Sequence, residues 1–137
     1  MKIYFAGSIK GGREDVELYA DIINHLKTKG EVLTEHIANP KITSLGEVDK
    51  TPKFIHDRDQ AWLEESDVVV AEVTRKSLGV GYELGRAAAL EKKILCLFRD
   101  DEIKLSNMIK GIPGVRVEYY KTLNDAKNFI DAYFSKL

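Results

Sequence analysis

The sequence lacks the features of secreted and membrane proteins. It contains one cysteine, Cys96, so no disulfide can form within the chain, and a reducing compartment fits. The opening residues MKIYFAGS hold too short an apolar run for a signal peptide. No stretch approaches the roughly 20 apolar residues that cross a bilayer. We therefore expect a cytoplasmic location, with a nuclear one left open, and no membrane partner.

The chain also lacks a basic surplus and a metal-binding pattern. Its net charge is -1, which argues against broad binding to duplex nucleic acid but leaves room for a local site for one small anion. The three histidines show no metal spacing, and a single cysteine adds little. We therefore expect no metal, no other cofactor and no nucleic-acid partner.

What the chain does have is a regular alternation of short apolar runs and amphipathic stretches. Its 137 residues, 44% apolar and 31% charged, suit one soluble domain spanning 1–137. The patterns predict strands at 2–6, 31–33, 67–73, 93–98 and 115–119. They predict helices at 14–29, 52–65, 80–90, 105–110 and 123–135, with a polar loop over 37–50. This alternation predicts a doubly wound α/β domain with a five-stranded parallel sheet, flavodoxin-like in order.

In that order the first and third strands are neighbours, and ligands bind where they end. The loops that follow them are 7–12, which holds three glycines, and 73–79, which ends at Gly79. Topology and composition therefore predict the functional site at the same edge of the sheet.

The first of these loops reads GSIKGGRED and comprises Gly7, Ser8, Ile9, Lys10, Gly11, Gly12 and Arg13. Glycines allow a ligand close to the backbone, and a helix N-terminus offers free N–H groups to an anion. Neither the Walker pattern nor the dinucleotide pattern is present. The loop is either a cradle for an anion or a sugar, or a tight turn with a solvated basic edge.

The second loop leads into TRKSLGVGYELG. Ser77 and Gly79 could hold a phosphate through a hydroxyl and backbone N–H groups. Glu83 is expected in the first helical turn, where the helix dipole favours the ionised carboxylate that a nucleophile needs. Ordinary charge complementarity at a helix start is the alternative explanation.

A second acid, Asp59, falls on an apolar helix stripe with Ile55 and Trp62, at i, i+4 and i+7. Burial there would raise its pKa and allow it to donate a proton, unless it is an edge acid paired with a neighbouring base. One ionised and one protonated carboxyl form the pair that cleaves glycosidic bonds. Tyr4 could orient Glu83 or simply pack in the core, and His36 is placed to contact a ligand.

Together these motifs resemble one family. FAGSIKGGRED, VLTEH, FIHDRDQAWL, SDVVVAEVTRKSLGVGYELGRA, ILCLFR and LSNMIKG are similar to the 2′-deoxynucleoside 5′-monophosphate N-glycosidases, which are related to the nucleoside 2-deoxyribosyltransferases. The resemblance covers nearly the whole chain, and the long motif around Glu83 is its most specific part. It implies the deoxyribosyltransferase-like version of the predicted fold.

The resemblance implies a hydrolase that splits a deoxynucleotide into a free base and 2-deoxyribose 5-phosphate. Glu83 would be the nucleophile, Asp59 would assist departure of the base or position the sugar, and Tyr4 would hydrogen-bond Glu83. The first loop would line the sugar–phosphate site, with Lys10 standing where the family often has arginine. Ser77 and Gly79 would hold the 5′-phosphate, and Ser106 would reach it from the other subunit of a homodimer.

Three other functions stay open at this point. A deoxyribosyltransferase would pass the sugar to a second base instead of to water. A ribonucleotide hydrolase would differ at the 2′ position, which the sequence fixes only indirectly. A sensor with this fold would bind a nucleotide without turning it over.

Overall fold

The protein is described by a computed structural model at residues 1–9 and 15–137. Five strands form one parallel sheet: β1 (Lys2–Ala6), β2 (Glu31–Val32), β3 (Val68–Glu72), β4 (Lys93–Phe98) and β5 (Val115–Tyr119). Their order is β2-β1-β3-β4-β5, with every neighbouring pair parallel. The predicted doubly wound order is therefore confirmed, and β1 lies beside β3.

Helices cover both faces of this sheet. They are α1 (Val16–Leu26), α2 (Pro52–Glu65), α3 (Leu78–Ala89), α4 (Asn107–Lys110) and α5 (Leu123–Phe134). Successive strand residues point to opposite faces, so β1 sends Ile3 and Phe5 to the core beneath α1 and α5. Tyr4 and Ala6 point to the core beneath α2 and α3. Tyr4 thereby faces the two helices that carry the predicted acids.

The start of α3 differs from the prediction in a way that matters for the site. The helix begins at Leu78, two residues earlier than the pattern indicated, because Ser77 caps it by accepting a hydrogen bond from the Val80 N–H (3.2 Å). Glu83 consequently lies in the second helical turn, not the first.

The segment between β2 and α2 is more ordered than the predicted polar loop. It contains a short 3-10 helix over Glu35–Ala38. A tight turn follows in which the Gly46 N–H donates to the Thr43 carbonyl (2.9 Å), and Gly46 adopts a φ of 85°, which favours glycine. Thr51 then caps α2 and Pro52 occupies its first turn. Over the described part of the chain, no helix has the length and apolarity to span a bilayer.

Candidate active site

A cavity of about 710 Å³ opens where β1 and β3 end, at the predicted edge of the sheet. Its walls come from the loop after β1, the segment before α2, α2 itself and the start of α3. Of the predicted site residues, the cavity brings together Gly7, Ile9, Asp59, Ser77, Gly79 and Glu83. Its outer rim carries several apolar side chains, including Leu45, Val48, Ile55 and Leu78.

Glu83 projects from α3 into this cavity, and the hydroxyl of Tyr4 donates a hydrogen bond to its carboxyl group. Burial raises the pKa of Glu83 to about 8, the Tyr4 bond opposes that rise, and the nearby charge of Asp59 adds to it. The prediction that the helix start keeps Glu83 ionised is therefore wrong in the free protein. Burial therefore outweighs any stabilisation of the carboxylate by the helix dipole at this position.

Tyr4 is suited to hold that carboxyl group in place. Its ring is buried in the core under α2 and α3, with only its hydroxyl meeting the acid. Burial and the charge of Glu83 raise the pKa of Tyr4 well above its usual range, so the hydroxyl stays protonated and can only act as a donor to the carboxylate. Both sequence alternatives hold, since Tyr4 packs in the core and also bonds Glu83.

Asp59 lies on α2, lines the same cavity and forms an ion pair. Burial raises its pKa, as the apolar stripe predicted, while the guanidinium of Arg58 opposes the rise. Arg58 Nε donates to Asp59 Oδ1 at 2.9 Å. Adjacent helical positions point in different directions, but the long side chain of Arg58 still reaches the neighbouring carboxylate. The paired-acid alternative for Asp59 is thus also present.

Gly79 lies between the carboxyl group of Glu83 and the hydroxyl of Ser77. A Cβ placed on Gly79 would lie 3.9 Å from Glu83 Oε1 and 3.9 Å from Ser77 Oγ. The space over this glycine is therefore bordered by a carboxyl group on one side and a helix-capping hydroxyl on the other. An anion seated at the start of α3 would meet free backbone N–H groups there.

The first loop is described only in part. Gly7 and Ile9 line the cavity, whereas Ser8 is buried and its backbone N–H donates to the Tyr19 hydroxyl (3.1 Å). A Cβ on Gly7 would come within 3.0 Å of the Tyr19 ring, so a larger residue would displace the packed aromatic. Lys10, Gly11, Gly12 and Arg13 lie outside the described residues, and their roles stay predictions.

His36 and Ser106 are placed apart from the other candidates. His36 is not among the residues that line the cavity, and its contact with a ligand stays a prediction. Its ring instead packs against Trp62 (centroids 5.5 Å apart) and faces Arg58, and burial and that charge lower its pKa. Ser106 caps α4 and lines a second cavity of about 910 Å³. The two cavities share part of their walls, including Lys76, Ser77 and Leu78.

Glu47 was not predicted as a site residue, yet it lines the cavity and accepts two hydrogen bonds from Arg58 (2.9 and 2.6 Å). These bonds hold the pKa of Glu47 near 2, well below its usual value. A charged residue inside a polar loop gives no periodic signal, so sequence could not single it out. No group of three potential metal ligands occurs within residues 1–9 and 15–137.

Comparison with known proteins identifies the family. Residues 3–125 match the model of the nucleoside 2-deoxyribosyltransferase family. The chain is 51% identical to the 5-hydroxymethyl-dUMP N-hydrolase of Danio rerio, over all of this chain and 98% of that protein. It is 48% identical to the protein of the same name from Homo sapiens, over 96% and 78% of the two chains. A putative 2′-deoxynucleoside 5′-phosphate N-hydrolase of Trichoplax adhaerens is 60% identical over 80% and 74%.

Solved structures support the fold independently. A CMP N-glycosidase from Clostridium botulinum superposes with a TM-score of 0.72 at 22% identity, covering 97% of this chain and 99% of that one. A 2-deoxyribosyltransferase from Bacillus psychrosaccharolyticus gives 0.70 at 21% identity, covering 98% and 96%. The predicted deoxyribosyltransferase-like fold is confirmed. The chain belongs to the nucleoside 2-deoxyribosyltransferase family, and it is an enzyme that cleaves N-glycosidic bonds.

Proposed function

We propose that this enzyme hydrolyses 2′-deoxynucleoside 5′-monophosphates to a free base and 2-deoxyribose 5-phosphate, through a covalent glycosyl-enzyme on Glu83. The observation that carries the proposal is the arrangement around Gly79, with the Glu83 carboxyl group on one side and the capped start of α3 on the other. That arrangement offers a nucleophile for a sugar carbon beside an anion site for its 5′-phosphate. The names of the relatives agree with this chemistry.

In the first step the ionised Glu83 carboxylate attacks C1′ and forms an ester as the bond from C1′ to the base nitrogen breaks. The electron pair of that bond leaves with the base, which takes a proton from Asp59. Both carboxyl groups line one cavity and burial raises the pKa of each, which suits a pair that shares one proton between acid and nucleophile.

In the second step water attacks C1′ and the ester bond breaks, which returns the Glu83 carboxylate. The proton lost by water passes to the Asp59 carboxylate, so both acids regain their starting states. Tyr4 donates to Glu83 throughout and favours its ionised form in the free enzyme. Positive charge that develops on the sugar ring in each transition state is stabilised by the same carboxylate.

The phosphate is the feature that favours a nucleotide over a nucleoside. Ser77, Gly79 and Lys76 lie together at the start of α3, where an N-terminus and a cation attract an anion. A nucleoside would leave this part of the cavity unfilled. The rival transferase needs a second base in the cavity, and the rival sensor needs no ionisable Glu83 at all.

A product assay tests the proposal. The protein is incubated with each deoxynucleoside 5′-monophosphate, the matching nucleosides and the ribonucleotides, and free base is resolved by chromatography. We expect base release from deoxynucleotides, with Glu83→Ala inactive but folded. Release of base by Glu83→Ala at near wild-type rate would refute the nucleophile. A new nucleoside or nucleotide formed when a second base is added would identify a transferase, and saturable binding without release would identify a sensor.

We also propose that the enzyme is a homodimer in which Ser106 completes the neighbouring site. Leu78 and Met108 are 97% and 82% exposed at the second cavity, and apolar side chains this exposed fit a surface covered by another copy. Ser106 lies on that same surface, and the second cavity adjoins the phosphate end of the first. A partner placed there would bring a hydroxyl toward the phosphate.

Mixing two impaired variants tests this sharing. Glu83→Ala and Ser106→Ala are each expected to have low activity, and subunit exchange between them forms heterodimers with one intact site. Activity should then recover to about one quarter of the wild-type value, since half of the dimers carry one working site of two. No recovery, with exchange of subunits confirmed, would show that Ser106 does not act across an interface.

A further inference from the structure

Arg58 connects three parts of the site at one guanidinium group. Its Nε donates to Asp59 Oδ1 at 2.9 Å, and Nη1 and Nη2 donate to the two carboxylate oxygens of Glu47 at 2.9 and 2.6 Å. Nη2 also lies 3.2 Å from His36 Nε2. The guanidinium stands 4.8 Å from the centre of the Trp62 ring, which fixes its plane by stacking. One side chain therefore joins α2, the 3-10 helix and the loop before α2.

That loop, residues 43–50, forms one wall of the cavity. Leu45 and Val48 line the cavity yet remain 73% and 76% exposed, so the wall offers apolar surface that a bound molecule would cover. Glu47 also lines the cavity, but its side chain is only 8% exposed and is held by Arg58 and by Lys50 at 3.4 Å. The loop thus has an apolar outer edge and a charged anchor on α2.

We propose that Arg58 is a positioning residue that fixes the 43–50 loop against α2 through Glu47 and, by the same group, sets the orientation of Asp59. This inference rests on the proposed function, because it gives Asp59 the role of proton donor to the base. The apolar side chains of the loop would then pack on the base of the substrate. The same guanidinium would then hold both the loop and the proton donor in place.

The geometry explains why this connection is strong and why it needs arginine. The Arg58 and Glu47 side chains are 16% and 8% exposed, so their pair is largely removed from water. Loss of one partner would leave an uncompensated charge in that place. Two parallel bonds to Glu47 plus a third to Asp59 require the planar fork of a guanidinium, which the single ammonium of a lysine cannot reproduce.

Three variants separate the loop anchor from a general loss of charge. Glu47→Gln breaks the anchor and leaves the Arg58 bond to Asp59 in place. Arg58→Met removes both connections. Lys53→Met is the matched control, since Lys53 pairs with Asp57 at 2.6 Å on the exposed side of the same helix and does not line the cavity.

Amide hydrogen exchange without substrate measures how firmly the loop is held. We expect faster exchange over residues 43–50 in Glu47→Gln and Arg58→Met, and wild-type exchange in Lys53→Met.

Steady-state kinetics measure the effect of the anchor on the substrate. With deoxynucleotide substrate, we expect KM to rise ~tenfold in Glu47→Gln with kcat little changed, because the loop supplies binding to the base. Arg58→Met should show the same rise in KM together with a lower kcat. The double variant should be no worse than Arg58→Met alone.

The pH profile separates positioning from a merely structural role. Asp59 is faced by Arg58, His36 and Glu47, and Glu83 lies across the cavity. Loss of the guanidinium removes the main influence that lowers the Asp59 pKa, so the limb of kcat/KM at which Asp59 titrates should move to higher pH in Arg58→Met. Glu47→Gln should leave that limb near the wild-type position, and Arg58→Lys should restore the limb without restoring loop protection.

Wild-type exchange over the loop in both Glu47→Gln and Arg58→Met would overturn the anchor. If the limb at which Asp59 titrates did not move in Arg58→Met, the proposed orientation of Asp59 would be overturned. Effects of the two substitutions that simply add in the double variant would also contradict a shared connection. A wild-type enzyme that releases no base would refute the proposed function instead, and the exchange result would still decide the anchor.

Discussion

Replacing Tyr4 by Phe isolates the hydrogen bond that keeps Glu83 able to react. The ring of Tyr4 is buried in the core under α2 and α3, and phenylalanine preserves that packing while removing the hydroxyl. The hydroxyl bonds the Glu83 carboxylate and lowers its pKa against a burial effect that raises it to about 8. Without the hydroxyl, the pKa of Glu83 must rise further.

The size of the effect follows from the charge on the acceptor. A hydrogen bond to a charged group contributes about 1.5–3 kcal/mol, and about 1.4 kcal/mol corresponds to one pKa unit. The pKa of Glu83 should therefore rise by roughly one to two units in Tyr4→Phe. Near neutral pH, the fraction of enzyme with an ionised nucleophile should fall by about tenfold or more, and kcat/KM should fall with it.

The assay is base release from a deoxynucleotide, measured from about pH 5.5 to about pH 9.5 in both proteins. The acid limb, where activity rises as Glu83 ionises, should move to higher pH in Tyr4→Phe. The deficit should shrink as pH rises, because a larger share of the variant becomes ionised. A folded variant with the wild-type limb and wild-type activity would refute the role of Tyr4.

Two further predictions concern stability and space in the site. Glu83→Gln should stabilise the protein, because the folded state holds Glu83 with a raised pKa and the unfolded chain ionises it more readily. The gain should be small at acid pH, grow as pH rises from the unfolded pKa toward about 8, and stay constant above that value, reaching about 2 kcal/mol after screening by water in the open cavity. Thermal unfolding across pH measures it, and a gain independent of pH would contradict the burial of the charge. Gly79→Ala should stabilise α3 by about 0.5–1 kcal/mol yet raise KM, because its Cβ meets Glu83 and Ser77 at ordinary contact distance and fills the space for the sugar phosphate. Gly85→Ala is the matched control on the same helix, with no atom within 4 Å of its Cβ, and equal KM in the two variants would contradict that use of the space.

Much of the fold could be predicted because strand and helix patterns are local. Residues 68–71 of β3 are fully buried and form a continuous apolar run, and the predicted bounds of α2, β4 and β5 agree with the structure. The doubly wound order then predicted that β1 and β3 lie side by side. The start of α3 was misplaced because its signal is a serine cap before two glycines, which weaken the helical pattern.

The site was less predictable where side chains reach across the fold. Periodicity placed Asp59 on the inner stripe of α2, but it gives no sign that the long side chain of Arg58, one position earlier, reaches the same carboxylate. The partners of Arg58 lie 11 and 22 residues away along the chain. The pKa of Glu83 depends on its enclosure by tertiary structure, and its position near a helix start suggested the opposite direction.

The proposed mechanism is a double displacement at C1′ through Glu83, and the configuration of the product can confirm or refute it. With methanol added as a competing acceptor, the enzyme should form a methyl 2-deoxyriboside 5-phosphate that mutarotation cannot scramble. Nuclear magnetic resonance then reads its anomeric configuration. A double displacement predicts the same configuration as in the substrate, because two inversions retain it. It also predicts no such product from Glu83→Gln. An inverted methyl glycoside would show direct displacement of the base and would contradict a glycosyl-enzyme on Glu83.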